Sequence, residues 1–572
     1  MALTGYGSIF KNLLFRLFKD KSEKFDKNLL IPVQGILGMI IVTTMATTIN
    51  FFLPVNQIIS LIFLSTGVIL FIINRKNIFY RISREHINLF IILAGILFII
   101  IPFSWNEAYD TGLYHLPAMK WITSTSVPAG LANLHSRLGY NSSWFVLAAC
   151  IDQWVIITDK PFFLLNGLMT FYYIFLFAII LKEKFLKKEI LNNYLFADLF
   201  LLLSFFTFIF PLKYLICSLY TDLPVIILTV FVLYLVSYDL ESNSSFSSYT
   251  FLSTIISAYG LTIKSTALPL FLTCIFIALL RPLIEKLKTR TYNIKYNIKT
   301  LIICVTLLSV IFIPWIARGV MLSGYLFYPV STGYLPGLSW SVPAEKAQER
   351  INADINWSRY RNGCSISNSS SQWIWLWFKR YIKMFVVIFT IAITGICLIL
   401  ISAYRKKLSI DKEIIWIIPF IIASSGILFW FLTIPGPRYG YGYLFSWALL
   451  LFSAGLWRSG ILEVKKMQKF YRVAITVFIL IIFIILIFSD ILLPSYIRKE
   501  NKVKKMTWKE FNLPQVEMVE KHTGDGISIY LPSRSDQCWN AKLPNTPEFN
   551  PDLKIKFSPV TGLPEKLWVI NK

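Results

Sequence analysis

Along most of this chain apolar positions run on without alternation. Stretches of roughly 18 or more apolar residues, the length a helix needs to cross the hydrocarbon core, recur from Leu29 to Leu493. Backbone in lipid must satisfy its own hydrogen bonds, so helices follow. A β-barrel would show short alternating segments, and these runs do not alternate. The spans predicted are approximately 31–53, 57–74, 87–103, 161–181, 194–213, 223–239, 250–263, 266–282, 300–318, 380–402, 413–432, 442–458 and 473–494, about thirteen crossings. The shortest, 250–263, also reads as a half-helix.

Polar punctuation orients these spans. The basic connectors Lys19–Lys27, Arg75–Arg84, Lys182–Lys188, Arg281–Lys299, Arg405–Lys412 and Arg458–Arg472 all fall on one side, which the positive-inside rule makes cytoplasmic. The N-terminus is then inside and the C-terminus outside. Ahead of the first span, Ile9, Phe10, Leu13, Leu14, Leu17 and Phe18 share one helical face, with Lys11, Arg16 and Lys19 beside or opposite it. That suits a helix lying in the cytoplasmic interface, and not a cleavable signal peptide. Two long parts are expected outside, Ser104–Lys160 and Gly319–Gln372. The first holds an apolar stretch, Trp144–Ile157, read as a helix on or partly in the membrane. A polar tail from about Glu500 carries strand-like pieces at Ile527–Leu531, Leu553–Phe557 and Leu567–Ile570.

The expected fold is therefore an all-α polytopic membrane protein with a small external α/β or β domain. Its divisions are an interfacial segment (1–30), an additional helix pair (31–86), a transmembrane core (87–494) and the external domain (495–572). Composition agrees: 56% of residues are hydrophobic, and mean hydropathy is +0.61, above what a soluble surface permits. The net charge of +25 would suggest nucleic acid in a soluble protein. Here the cations punctuate spans, and no nucleic-acid motif accompanies them. Seven cysteines show no zinc spacing. Cys364 and Cys538 both fall in expected external segments, where an oxidising compartment would allow a disulfide.

The candidate chemistry lies on the face opposite the basic connectors. Trp105-Asn106-Glu107-Ala108-Tyr109-Asp110-Thr111-Gly112-Leu113-Tyr114-His115 follows a span directly. If helical, it sets Glu107 and Asp110 on one face. Such carboxylates serve as a general base, a metal ligand or a cation's partner; a solvated interfacial loop is the plain alternative. Asp222, in Tyr220-Thr221-Asp222-Leu223-Pro224, is costly at the mouth of two spans, with Lys213 as a candidate structural partner. Lys264 interrupts an apolar hairpin, and Arg438 tops another within Pro435-Gly436-Pro437-Arg438-Tyr439-Gly440-Tyr441. Arginine presents a fork suited to phosphate oxygens. The plain reading of both cations is an ion pair with Asp110 or Asp222, or snorkelling. Arg318, His135 and Arg137 are further candidates. Jointly, these residues suit a lipid phosphate held by cations beside a carboxylate that handles a hydroxyl proton.

In its order of elements over roughly 87–460, the chain resembles the GT-C superfamily of integral-membrane glycosyltransferases. The resemblance runs through the acidic first loop (Glu107–Asp110), a later Asp at a helix mouth (Thr221-Asp222-Leu223-Pro224), a lysine hairpin (Lys264-Ser265-Thr266) and a late Arg438-Tyr439. Leu131–Phe145 and Ser323–Pro329 are similar to a bacterial branch of it. The pair 31–86 stands outside the usual pattern. The resemblance implies transfer of a sugar from a polyprenyl-phosphate donor to a glycan, lipid or protein hydroxyl, with inversion, at the outer face of a bacterial plasma membrane. It implies Asp110 as catalytic base beside Glu107, with Asp222 positioning the acceptor or sharing a divalent metal (magnesium, manganese or zinc) with Asp110. Lys264, Arg438 and Arg318 would hold the donor phosphate. Tyr109, Tyr114, His115, His135, Arg137 and Tyr439 would line the substrate, with Trp105 and Trp121 as further stacking faces. Three other readings stay open. A polymerase or ligase with a lipid-diphosphate donor would use His135 and Arg137. A lipid-linked-sugar transporter would need charges through the midplane. A non-catalytic assembly protein would bind through its tail.

Overall fold

The computed structural model describes residues 1–18, 29–79, 84–103, 107–182, 195–241, 248–289, 294–360, 372–405, 410–459, 512–559 and 562–569. An N-terminal group of helices comprises α1 (Ala2–Phe18), α2 (Leu30–Asn50), α3 (Gln57–Phe79) and α4 (Arg84–Phe103). A π-helical turn, Thr111–His115, leads into α5 (Leu116–Ser124), followed by α6 (Ser143–Ile151) and α7 (Trp154–Thr158). The central helices are α8 (Leu165–Ile180), α9 (Leu195–Leu215), α10 (Asp222–Glu241), α11 (Ser248–Ile263), α12 (Leu268–Thr289) and α13 (Ile294–Ser323). After α14 (Ala344–Tyr360) come α15 (Gln372–Arg405), α16 (Ile410–Leu432) and α17 (Pro437–Ser459). Each predicted span before residue 460 falls on a helix, and 473–494 lies outside the described residues. Among the described residues, six helices are long and apolar enough to cross a membrane. One of them, α10, is apolar all round and almost wholly enclosed by its neighbours, as a central helix must be.

Two stretches expected at the membrane surface make close contacts with the helix group. Helix α1 packs against α2 and α3 through its small residues, with Leu3, Tyr6 and Ser8 buried while Ile9 and Leu13 are exposed. The contact is close: a Cβ at Gly7 would stand 1.7 Å from the Gln34 carbonyl oxygen, and one at Gly38 would stand 1.8 Å from that of Leu3. Small residues let helix backbones approach this way where apolar faces gain nothing from lipid. The stretch Trp144–Ile157 is two helices, α6 and α7, and α6 is buried between α2, α3 and α8. Asp152 separates them and accepts hydrogen bonds from the amides of Leu164 (2.8 Å) and Leu165 (3.2 Å) at the start of α8. A carboxylate there satisfies amides that a helix start leaves unpaired.

The C-terminal region holds two antiparallel pairs: β1 (Met518–His522) with β2 (Ser528–Pro532), and β3 (Leu553–Phe557) with β4 (Pro564–Val569). It docks on the loop after α4. The amides of Cys538 (3.0 Å) and Trp539 (2.9 Å) donate to the Gly112 carbonyl, and the Leu567 amide donates to that of Ala129 (2.7 Å). Trp539 covers Gly112 so closely that a Cβ there would lie 2.4 Å from the indole. Cys538 is a buried free thiol. Cys364, its candidate partner from the sequence, lies outside the described residues.

A side chain at Gly38 must push α1 away, an overpacking cost of about 1–3 kcal/mol. Gly38→Val is expected to lower the thermal midpoint and to expose a Cys placed at Ser8. Maleimide should label Ser8→Cys only in the Gly38→Val background. Equal labelling in both would refute the packing of α1.

Candidate active site

Four helix ends bring the charged residues together. Asp110 stands where the chain leaves α4, immediately before the π-helical turn. Asp222 opens α10 and Lys264 follows α11. A carboxylate at a helix start and a cation at a helix end both complement the helix dipole. Arg438 lies in the first turn of α17, where the dipole opposes a cation, so nearby anions must hold it.

They form an alternating chain. Lys264 is ion-paired with Asp222; Arg438 contacts Asp222 at 3.4 Å through Nε and Asp110 at 2.6 Å through a terminal nitrogen. The carboxylates lie deeper, with side chains 2% exposed at Asp222 and 13% at Asp110, against 22% at Lys264 and 31% at Arg438. The cations are thus the groups an incoming anion meets first. Aromatic rings wall them in: Lys264 lies 3.9 Å from the Tyr439 ring centroid, and the Arg438 guanidinium 4.9 Å from that of Tyr220 and 5.7 Å from that of Trp357. Such rings hold a cation without neutralising it.

A small, partly open cavity of about 10 Å³, room for about one water, lies among Asp222, Val225, Ile226 and Thr229 on α10, Thr266, and Arg438, Tyr439 and Tyr443 on α17. Its charged end and apolar wall lie side by side between two helices.

Burial acts to raise the Asp110 carboxyl, but Arg438, with His115 and Arg137, overrides it and holds the group at about 2. His115 is buried, with burial lowering it to about 3; its ring meets Tyr220 edge-on at 5.2 Å. His135 is likewise driven to about 3 by burial, then by Arg137 and Arg350. Both histidines are neutral near pH 7. Tyr109 is pushed up to about 12 by burial and by its hydrogen bond to Asp536.

The structure gathers Asp110, Asp222, Lys264, Arg438 and Tyr439, and rejects others. Glu107 does not share a helical face with Asp110. It is exposed and makes no ion pair among the described residues, because the chain becomes helical only at Tyr109. Tyr109 turns to the C-terminal region. Arg318 is buried in α13 and donates to Asn141 at 2.8 Å, apart from the ion-pair chain. Trp121 is buried in the core beneath the C-terminal region, and Trp105 and the side chain of Lys213 lie outside the described residues. The plain reading of Lys264 and Arg438 as partners of Asp222 and Asp110 is what the side chains do. As metal ligands, Asp110 and Asp222 fit poorly: a guanidinium already sits between them, and no group of three or more His, Cys, Asp or Glu among the described residues could hold an ion. Trp357 was missed, being on a polar helix far along the chain; its tryptophan among charges was the available signal.

Asp110 is held below the ordinary carboxylate range, so its pairing stabilises the fold above about pH 4 and is lost as pH falls towards 2. Infrared difference spectra of wild type against Asp110→Asn are expected to keep the carboxylate band at pH 3. A band lost near pH 4 would contradict the pairing.

No curated protein and no solved structure matches this chain. A family model matches residues 1–445, which cover the four helix ends and stop short of the C-terminal region. The chain belongs to the family described as a domain of unknown function, DUF8201.

Proposed function

We propose that the protein is a membrane glycosyltransferase of the GT-C kind, moving a sugar from a polyprenyl-phosphate donor to an acceptor hydroxyl. The observation that carries this reading is the union of two cations and two carboxylates beside the apolar side chains of Val225 and Ile226 at the mouth of α10 and α17. A phosphate with a long hydrocarbon tail needs that combination: cations for its oxygens and an apolar wall beneath them.

The chemistry is a displacement at the anomeric carbon. The acceptor oxygen forms a bond to that carbon from the face opposite the phosphate, and the bond from carbon to phosphate oxygen breaks. Polyprenyl phosphate leaves with the electron pair, its growing charge stabilised by Lys264 and Arg438. Asp110 takes the hydroxyl proton. While bound to Arg438 it is a weak base, but the donor phosphate competes for the same guanidinium. Sharing Arg438 leaves Asp110 buried with less positive charge beside it, which raises its basicity. Donor binding thereby activates the base. Asp222 stays behind the two cations and keeps both aimed at the cavity. Because Arg438 spans the two carboxylates, this route is drawn without a metal ion.

The accompanying topology has about thirteen crossings, with the N-terminus cytoplasmic and the site and C-terminal region on the external side of a bacterial plasma membrane. The six long apolar helices and the charge pattern of the connectors support it. A midplane transport path is less well supported, since the charges gather at helix ends.

With the protein in nanodiscs and a polyprenyl-phosphate sugar as donor, Asp110→Asn is expected to cut transfer at least about 100-fold, the usual scale of a lost general base. Donor affinity should stay near wild type. Arg438→Ala is expected to weaken donor binding about tenfold or more. Near-normal turnover of Asp110→Asn would remove the base assignment. For topology, Asp552→Cys should react with an impermeant maleimide in intact spheroplasts; protection until lysis would reverse the orientation.

A further inference from the structure

A second polar cluster adjoins Asp110, whose carboxylate interacts with both Arg137 and Tyr114. The Arg137 guanidinium lies 5.9 Å from the Tyr114 ring centroid. The Tyr114 ring lies 5.9 Å from that of Tyr140, and Tyr140 lies 6.4 Å from Tyr328. Tyr140 donates to Asp354 at 2.5 Å, and Arg350 is ion-paired with the same carboxylate. Glu548 lies on the Arg350 side. Three short 3₁₀ and π turns, and not regular helices, supply the Arg137 side.

The cations here are not equivalent. Lys264, Arg438 and Arg350 each have a carboxylate within ion-pair distance, whereas half-buried Arg137 has none among the described residues. Its carboxylate neighbour, Asp110, acts on it from beyond ion-pair distance, so its guanidinium hydrogens stay available to an arriving anion. Two neighbouring groups are also unsatisfied: the buried Tyr328 hydroxyl and Arg350 Nε have no hydrogen-bond partner among the described residues. Three tyrosine rings, one free guanidinium and unspent donors suit a sugar ring bearing a negative substituent. Rings cover its apolar face, and the guanidinium holds the charge.

We infer that Tyr114, Arg137, Tyr140, Tyr328 and Arg350 form a binding site for a sugar carrying one anionic group, a carboxylate or a phosphate. Its place follows from Asp110, which interacts electrostatically with Arg137 and Tyr114 of this cluster and is ion-paired with Arg438. A sugar bound here lies beside Asp110, where an acceptor hydroxyl is needed. Its role as acceptor rests on the glycosyl-transfer reading; the binding itself does not.

The test needs no donor. The full-length protein in nanodiscs is titrated with methyl glucuronide, glucose 6-phosphate and uncharged methyl glucoside by ligand-observed NMR. At least one anionic probe is expected to bind about tenfold tighter than the glucoside, and which one identifies the charged group. Arg137→Gln should abolish that preference and Arg137→Lys should retain part of it. Lys264→Gln should leave it unchanged. Equal binding of all three probes, or a preference surviving Arg137→Gln, overturns the site. Loss in Lys264→Gln but not in Arg137→Gln would place the anion at the lipid-phosphate site and also overturn it. Failure of sugar transfer by a polyprenyl donor would leave these titrations untouched.

Discussion

Asp222 is a carboxylate almost wholly removed from water at the start of a helix that other helices enclose. Its charge survives there only if cations are brought to it, and much of the arrangement follows. Lys264 comes from the break between α11 and α12, and Arg438 from the first turn of α17. Arg438 then has a second valence to offer, which draws in Asp110 from the far side of the chain. One buried charge thus ties together segments more than three hundred residues apart. The result is balanced when empty and easily rearranged, because an added phosphate can exchange with a carboxylate at either cation.

The C-terminal region makes this chain of charges precise. Among the described residues it makes no ion pair with the four charged groups, yet it pins the peptide that follows Asp110 through Gly112 and Trp539. It also holds Tyr109 at both its hydroxyl and its carbonyl. A loop carrying a π-helical turn is poor at holding a carboxylate to a fraction of an ångström by itself. The family match covers residues 1–445 and so the part that bears the charges.

Much of this was legible in the sequence, and the exceptions have physical causes. Long apolar runs located the helices because lipid allows few alternatives. Asp110, Asp222, Lys264 and Arg438 stood out because each is costly where it lies. Helix α1 leaves Ile9 and Leu13 of its apolar face exposed and makes its contacts with α2 and α3 through glycines and Ser8, which no apolar stripe marks. Apolarity ceases to mark burial when the surroundings are themselves apolar. Glu107 was grouped with Asp110 on an assumed helix that starts two residues later. The roles of Tyr140, Arg350 and Trp357 depend on packing between distant segments, which no local pattern records.

The central claim is that the ion-pair chain receives the phosphate of a lipid carrier. A cryo-EM structure of the full-length protein with a polyprenyl-phosphate analogue bound tests it most directly. The phosphate is expected between Lys264 and Arg438, with the hydrocarbon chain leaving between α10 and α17 and Arg438 partly withdrawn from Asp110. A phosphate bound elsewhere, with the pairs from Lys264 to Asp222 and from Arg438 to Asp110 undisturbed, would contradict it.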